Sequence, residues 1–140
     1  MERRDYIVDE IQKFGQMVMA LFGKLVKKRQ SEQYDFDLSM ADYEFESEAG
    51  FSLKMLIGMD TTSLKNFLAQ HPELNFENME LLANLLIEIS DQPGIAAVPC
   101  LERAGELLQL VDEQSKTYSV ERAGKLAYIS EILINGKIPS

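Results

Sequence analysis

Six apolar residues near the start of the chain, Ile7, Ile11, Phe14, Val18, Leu21 and Leu25, recur at alternating steps of four and three. An α-helix advances about 100° per residue, so this spacing sets all six on one face. A strand, with its period of two, cannot align them. The spacing predicts one long helix over residues 4–30, with Met17 and Phe22 widening the stripe. Lys24, Lys27, Lys28 and Arg29 fall toward its C-terminal end, where cations complement the helix dipole. Gly15 and Gly23 each weaken it by about 1 kcal/mol relative to alanine, and each leaves room for another helix to approach. The stripe has three candidate roles: core, a seam that dimerises the chain, or a membrane-surface face.

Helical spacing continues downstream. Leu38, Ala41, Phe45, Ala49, Leu53 and Leu56 mark a second face, with Asp37 or Ser39 as its cap and Gly50 dividing it. Asp60, Thr61 and Thr62 open a short helix that ends at His71-Pro72, because proline disfavours helix at the residue before it. Together these form acidic middle helices over 37–70. Asn75 caps a helix over 76–90 whose buried stripe is Met79, Leu82, Ala83, Leu86 and Ile89. After the turn Asp91-Gln92-Pro93-Gly94, Ala97, Leu101, Ala104, Leu108 and Val111 define the next helix, with Pro99 expected either in its first turn or at a kink. A last helix over 118–134, capped by Ser119, ends at Asn135-Gly136. Asp42 to Glu46 alternates acid with aromatic at a strand period, but no partner strand is in sight. The expectation is a single all-α domain over 1–140, an antiparallel bundle of six to seven helices.

Composition limits what such a domain does. The net charge of −9 is uneven: residues 1–29 carry seven basic and four acidic side chains, residues 30–60 one and eight. An acidic chain repels phosphates, so nucleic acid is not an expected partner. The polarity is expected to be satisfied within the chain, the basic helix end lying near the acidic segment. Cys100 and His71 are the only residues of their kinds, so no intrachain disulfide forms and a histidine-rich zinc site is excluded. With no signal-like start and no long apolar run, a cytoplasmic location and no membrane partner are expected.

The spacing of Met79, Leu82, Ala83 and Leu86, followed by Ala97, Leu101 and Ala104, resembles the helix pair of tetratricopeptide repeats. The intervening turn is two residues longer than that repeat uses, and its usual aromatics and closing proline are missing. Ala123, Leu126 and Ala127 resemble the start of a following helix of the same kind. Over most of the chain, the Arg4-Asp5-Tyr6-Ile7 start, the segment from Met55 to Phe67 and the pair from Leu81 to Leu108 resemble an uncharacterised bacterial family of short helical proteins. That resemblance implies a tetratricopeptide-like fold and brings no activity or site residues.

Candidate chemistry fails on stated requirements. Asp35, Asp37, Ser39 and Glu46 sit at the first, third, fifth and twelfth positions of a calcium loop, but Met40 stands where its sharp turn needs glycine. Asp42, Glu44, Glu46 and Glu48 read as a solvated face rather than an acid–base pair. His71 shows no orienting partner, and Cys100 reads as a buried structural thiol. Gly105 and Gly124 are expected to permit close helix packing, and no phosphate-binding loop occurs. The expected function is a non-enzymatic protein-interaction module without cofactor or metal, its partner a protein or peptide. The alternative is a structural protein that forms a homodimer through the 4–30 helix.

Overall fold

The computed structural model describes residues 3–31 and 36–136, and is all-α among them. Its helices are α1 (Arg3–Arg29), α2 (Leu38–Ala49), α3 (Leu53–Ile57), α4 (Thr61–Ala69), α5 (Phe76–Ser90), α6 (Ala97–Ser115) and α7 (Val120–Asn135). The expected tail at 137–140, and most of the connection expected at 31–36, lie outside the described residues.

Side-chain caps set most of the boundaries. Asp37, Ser52, Asp60, Asn75 and Ser119 each accept a backbone N–H from the first turn of the helix that follows. Gly50, at φ 82°, adopts the left-handed conformation that closes α2, so Leu53 and Leu56 belong to a separate helix. Gly136, at φ 65°, closes α7 in the same way. Pro99 lies in the first turn of α6, where its missing N–H has no helical partner to lose.

The core forms around α5, against which α1 and α6 pack. Phe14, Val18, Leu21 and Leu25 of α1 are buried in it, with Ile7 and Ile11 half-buried beyond. Core is thus the role the α1 stripe plays. Met79, Leu82, Ala83, Leu86, Leu101 and Ala104 are buried as well, and Ala97 is half-buried. Phe45 and Phe51 meet edge to face at 5.2 Å between centroids, and Phe14 packs against both.

Two polar links give the helix directions. Near the start of α5, Asn78 donates to the Ile11 carbonyl of α1 at 2.9 Å. Near its end, Glu88 accepts from Arg29, the last residue of α1, at 2.6 Å. α1 and α5 therefore run parallel. Arg122, early in α7, donates to Glu80 of α5 at 2.5 Å, and Tyr128 further along lies beside Asp91. α7 is thus parallel to α5 too, with α6 running back between them. The expected up-down-up order of α5, α6 and α7 is what the chain adopts.

Several local expectations need correction. Asp42 is not solvated: it is buried, and its carboxylate accepts from the Ser52 hydroxyl (2.7 Å) and the Leu53 N–H (2.6 Å). It anchors the start of α3 across the Gly50 break. Gly15 does admit a neighbour, since a Cβ there would lie 2.8 Å from Asn78 Oδ1. Gly105 faces Ile129, but Gly23 and Gly124 have nothing within 4 Å of where a Cβ would stand. The basic end of α1 meets the acidic segment through Lys24 and Glu44 (2.9 Å), while Arg29 turns to α5 instead.

Candidate functional site

A groove of about 490 Å³ lies between α1 and α7, with α5 as its floor. Phe22 of α1 forms one wall, Ile87 lies on the floor, and Tyr128 and Gly124 of α7 form the other wall. Glu121 and Lys125 stand on the α7 side. The geometry follows from helix order: α1 and α7 both pack toward the α5–α6 hairpin, and the space between them is left open. Burial, followed by the neighbouring Asp91, pushes the Tyr128 hydroxyl above its ordinary pKa, so it stays a neutral donor.

The floor is not wholly apolar. Asn84 and Glu88 are one turn apart on α5, and Gln92 follows another turn on, just past the helix end. Glu88 is buried and held by Arg29 and by Gln92 at 3.2 Å. The Asn84 side-chain oxygen is buried without a hydrogen-bond partner among the described residues. An unpaired buried polar atom costs about 1–3 kcal/mol, so its retention asks for a reason. A carboxamide carries both a donor and an acceptor, and a peptide bond offers the complementary pair.

These groove residues were not picked out from sequence. The signal was present: Asn84 and Glu88 are polar interruptions one turn apart in a helix otherwise rich in leucine and isoleucine. The partner of Glu88 lies 59 residues away, which spacing cannot reveal.

A second cleft, of about 520 Å³, is lined by Glu10, Lys13, Phe14 and Met17 of α1, Glu48 and Ala49 of α2, and Glu73. Beside it, His71 does have a partner: its Nδ1 lies 2.7 Å from Glu73 Oε1, and its ring packs on Phe67. The pair was missed in the sequence although only one residue, Pro72, separates its members. The imidazole is enclosed by Phe51 and Phe67, a setting that serves packing.

Cys100 is buried, and desolvation pushes its thiol up to about 11, so it is not a nucleophile at neutral pH. Of the calcium-loop positions, Asp37 caps α2 while Ser39 and Glu46 are helical, and Asp35 lies outside the described residues. No group of three or more His, Cys, Asp or Glu among the described residues is placed to hold a metal ion, and no helix there is long and apolar enough to cross a membrane. Comparison with family models, with curated proteins and with solved structures returned no match for this chain.

Proposed function

We propose that the chain is a non-enzymatic interaction module, built of tetratricopeptide-like hairpins, that takes an extended peptide segment of a partner protein into the α1–α7 groove. The observation that carries this is the unpaired Asn84 side-chain oxygen on the floor of an open, largely apolar groove. An extended peptide has free backbone N–H groups to donate to it, whereas a helical ligand has used its own internally. Phe22, Ile87 and Tyr128 would receive one large apolar side chain of that peptide. Rigid walls on regular helices lower the ordering cost of binding.

The test is selection from a displayed library of linear peptides, followed by amide chemical-shift mapping with the selected sequences. Selected peptides are expected to share an apolar anchor and to shift the amides of Phe22, Asn84, Ile87 and Tyr128. Asn84→Ala is expected to weaken binding about tenfold, or ~1.4 kcal/mol. Peptides that bind elsewhere, or equally well to Asn84→Ala, would refute the proposal.

A further inference from the structure

Among the described residues four glycines lie inside helices: Gly15 and Gly23 in α1, Gly105 in α6 and Gly124 in α7. Within a helix, alanine is favoured over glycine by about a factor of five in the folding equilibrium. Two of the four face a neighbour. A Cβ at Gly15 would stand 2.8 Å from Asn78 Oδ1, and one at Gly105 would stand 3.5 Å from Ile129 Cγ2. Gly23 and Gly124 have nothing within 4 Å of where a Cβ would stand. These two differ in place: Gly124 lines the α1–α7 groove, and Gly23 does not. On the groove wall, then, the chain keeps a helix-weakening residue that no contact of its own requires.

The space over Gly124 has definite walls. Tyr128 follows it by four residues and Glu121 precedes it by three, so both lie within about 60° of it on the same side of α7. Both line the groove with it. They bracket a notch about 10 Å long on the helix axis, with Gly124 near its middle. Ile87 lies on the floor and Phe22 stands on the α1 side. Two aromatic rings and a branched aliphatic group make the notch largely apolar, and the Asn84 oxygen lies unpaired on the same floor. Side chains of an extended chain recur about every 3.3 Å along it, so a chain whose N–H meets that oxygen has one within reach of the notch.

We infer that Gly124 is the specificity-determining residue of the groove: the room left by its missing side chain is the seat of the peptide's apolar anchor. This rests on the reading of the groove as a peptide site, and it adds which residue sets the size of the anchor. With glycine at 124 the seat admits a long or aromatic side chain, such as leucine, methionine or phenylalanine. Each carbon added at position 124 takes that room away. The folding cost of the glycine is thereby set against a gain in binding, as stability commonly is at functional sites.

The test compares stability and binding across Gly124→Ala, Gly124→Leu and Gly23→Ala, with the tightest linear peptide selected on the wild-type protein as probe. Amide shifts of Phe22, Asn84 and Ile87 first establish that this peptide lies in the groove. Both alanine variants should unfold at higher urea than wild type. Gly124→Ala should nonetheless weaken the peptide about fivefold to tenfold, and Gly124→Leu about a hundredfold. Gly23→Ala should leave its affinity unchanged. Selection repeated on Gly124→Leu should return peptides with a smaller anchor, alanine or valine. A peptide that sits in the groove yet binds Gly124→Ala and Gly124→Leu as it binds wild type overturns the inference and leaves the peptide reading standing. So does the return of the same large anchor from the repeated selection. Selected peptides that shift no groove amides overturn both.

Discussion

Replacing Gly15 by alanine should destabilise the protein, and the same replacement should stabilise it once Asn78 is gone. A Cβ at position 15 would lie 2.8 Å from Asn78 Oδ1, about half an ångström inside ordinary contact. Asn78 cannot yield freely, because its amide nitrogen donates to the Ile11 carbonyl at 2.9 Å and to the Glu73 carbonyl at 2.8 Å. Moving it by that amount loses much of two hydrogen bonds, each worth about 1 kcal/mol net. Against this, alanine is favoured over glycine within a helix by about 1 kcal/mol. Gly15→Ala alone is therefore expected to cost about 1 kcal/mol. Asn78→Ala alone should cost roughly 2–4 kcal/mol, because it also leaves the Glu73 carbonyl without that donor. In the Asn78→Ala background the obstruction is absent, and Gly15→Ala should gain about 1 kcal/mol. The coupling of the cycle is then about 2 kcal/mol, well above the additivity error for distant sites. The chain has no tryptophan, so urea unfolding is best followed by circular dichroism. Equal effects of Gly15→Ala in both backgrounds would refute the account of how α1 seats on α5.

Other consequences are separately measurable. Asn84→Ala removes an unpaired buried oxygen and should leave stability unchanged or raise it by up to about 1 kcal/mol, so any loss of peptide binding is not a folding defect; a large fall in the urea midpoint would contradict this. Asp42→Ala should cost about 2 kcal/mol, since the start of α3 loses the acceptor for Leu53 N–H and Ser52; chemical denaturation measures it. Cys100 should react with a disulfide reagent only on unfolding at neutral pH. Its thiol ordinarily ionises near 9.0 and is raised to about 11 in the fold. The folded state therefore holds the proton more tightly, and this contribution to stability, complete below about pH 9, is lost as pH rises toward 11. Alkaline melts of wild type and Cys100→Ala should diverge over that interval.

Capping and helix periodicity were legible in the sequence, and non-local chemistry was not. Asn75 and Asp91 bracket α5 because capping and turn formation depend on a few adjacent residues, and the expected span 76–90 is the observed one. The Phe14–Leu25 stripe was legible because a 3.6-residue period repeats along it, but burial beneath α2 and α5 is what decides its role as core. Asp42 looked solvated within an acidic run because its partners begin ten residues on, across a break whose geometry depends on the conformation of Gly50. Gly124 illustrates the same limit: identical in type to Gly105, it faces water because α7 turns that side away from α6. The groove itself follows from the parallel setting of α1 and α7, which are far apart in sequence and related only through α5.

That parallel setting gives the groove an electrical sense. Each helix carries roughly half a positive charge at its N-terminus and half a negative charge at its C-terminus. α1, α5 and α7 point their N-termini the same way, and α6 runs against them. Asp5, Glu77 and Glu121 stand in the first turns of the three, as countercharges to that positive pole. At the opposite pole basic residues come from α1 alone, and Arg29 there reaches across to α5. A chain lying along such a groove meets a different potential at each mouth, so its two possible orientations differ in energy. If a peptide binds there as proposed, the fold would then favour one direction for it as well as one place.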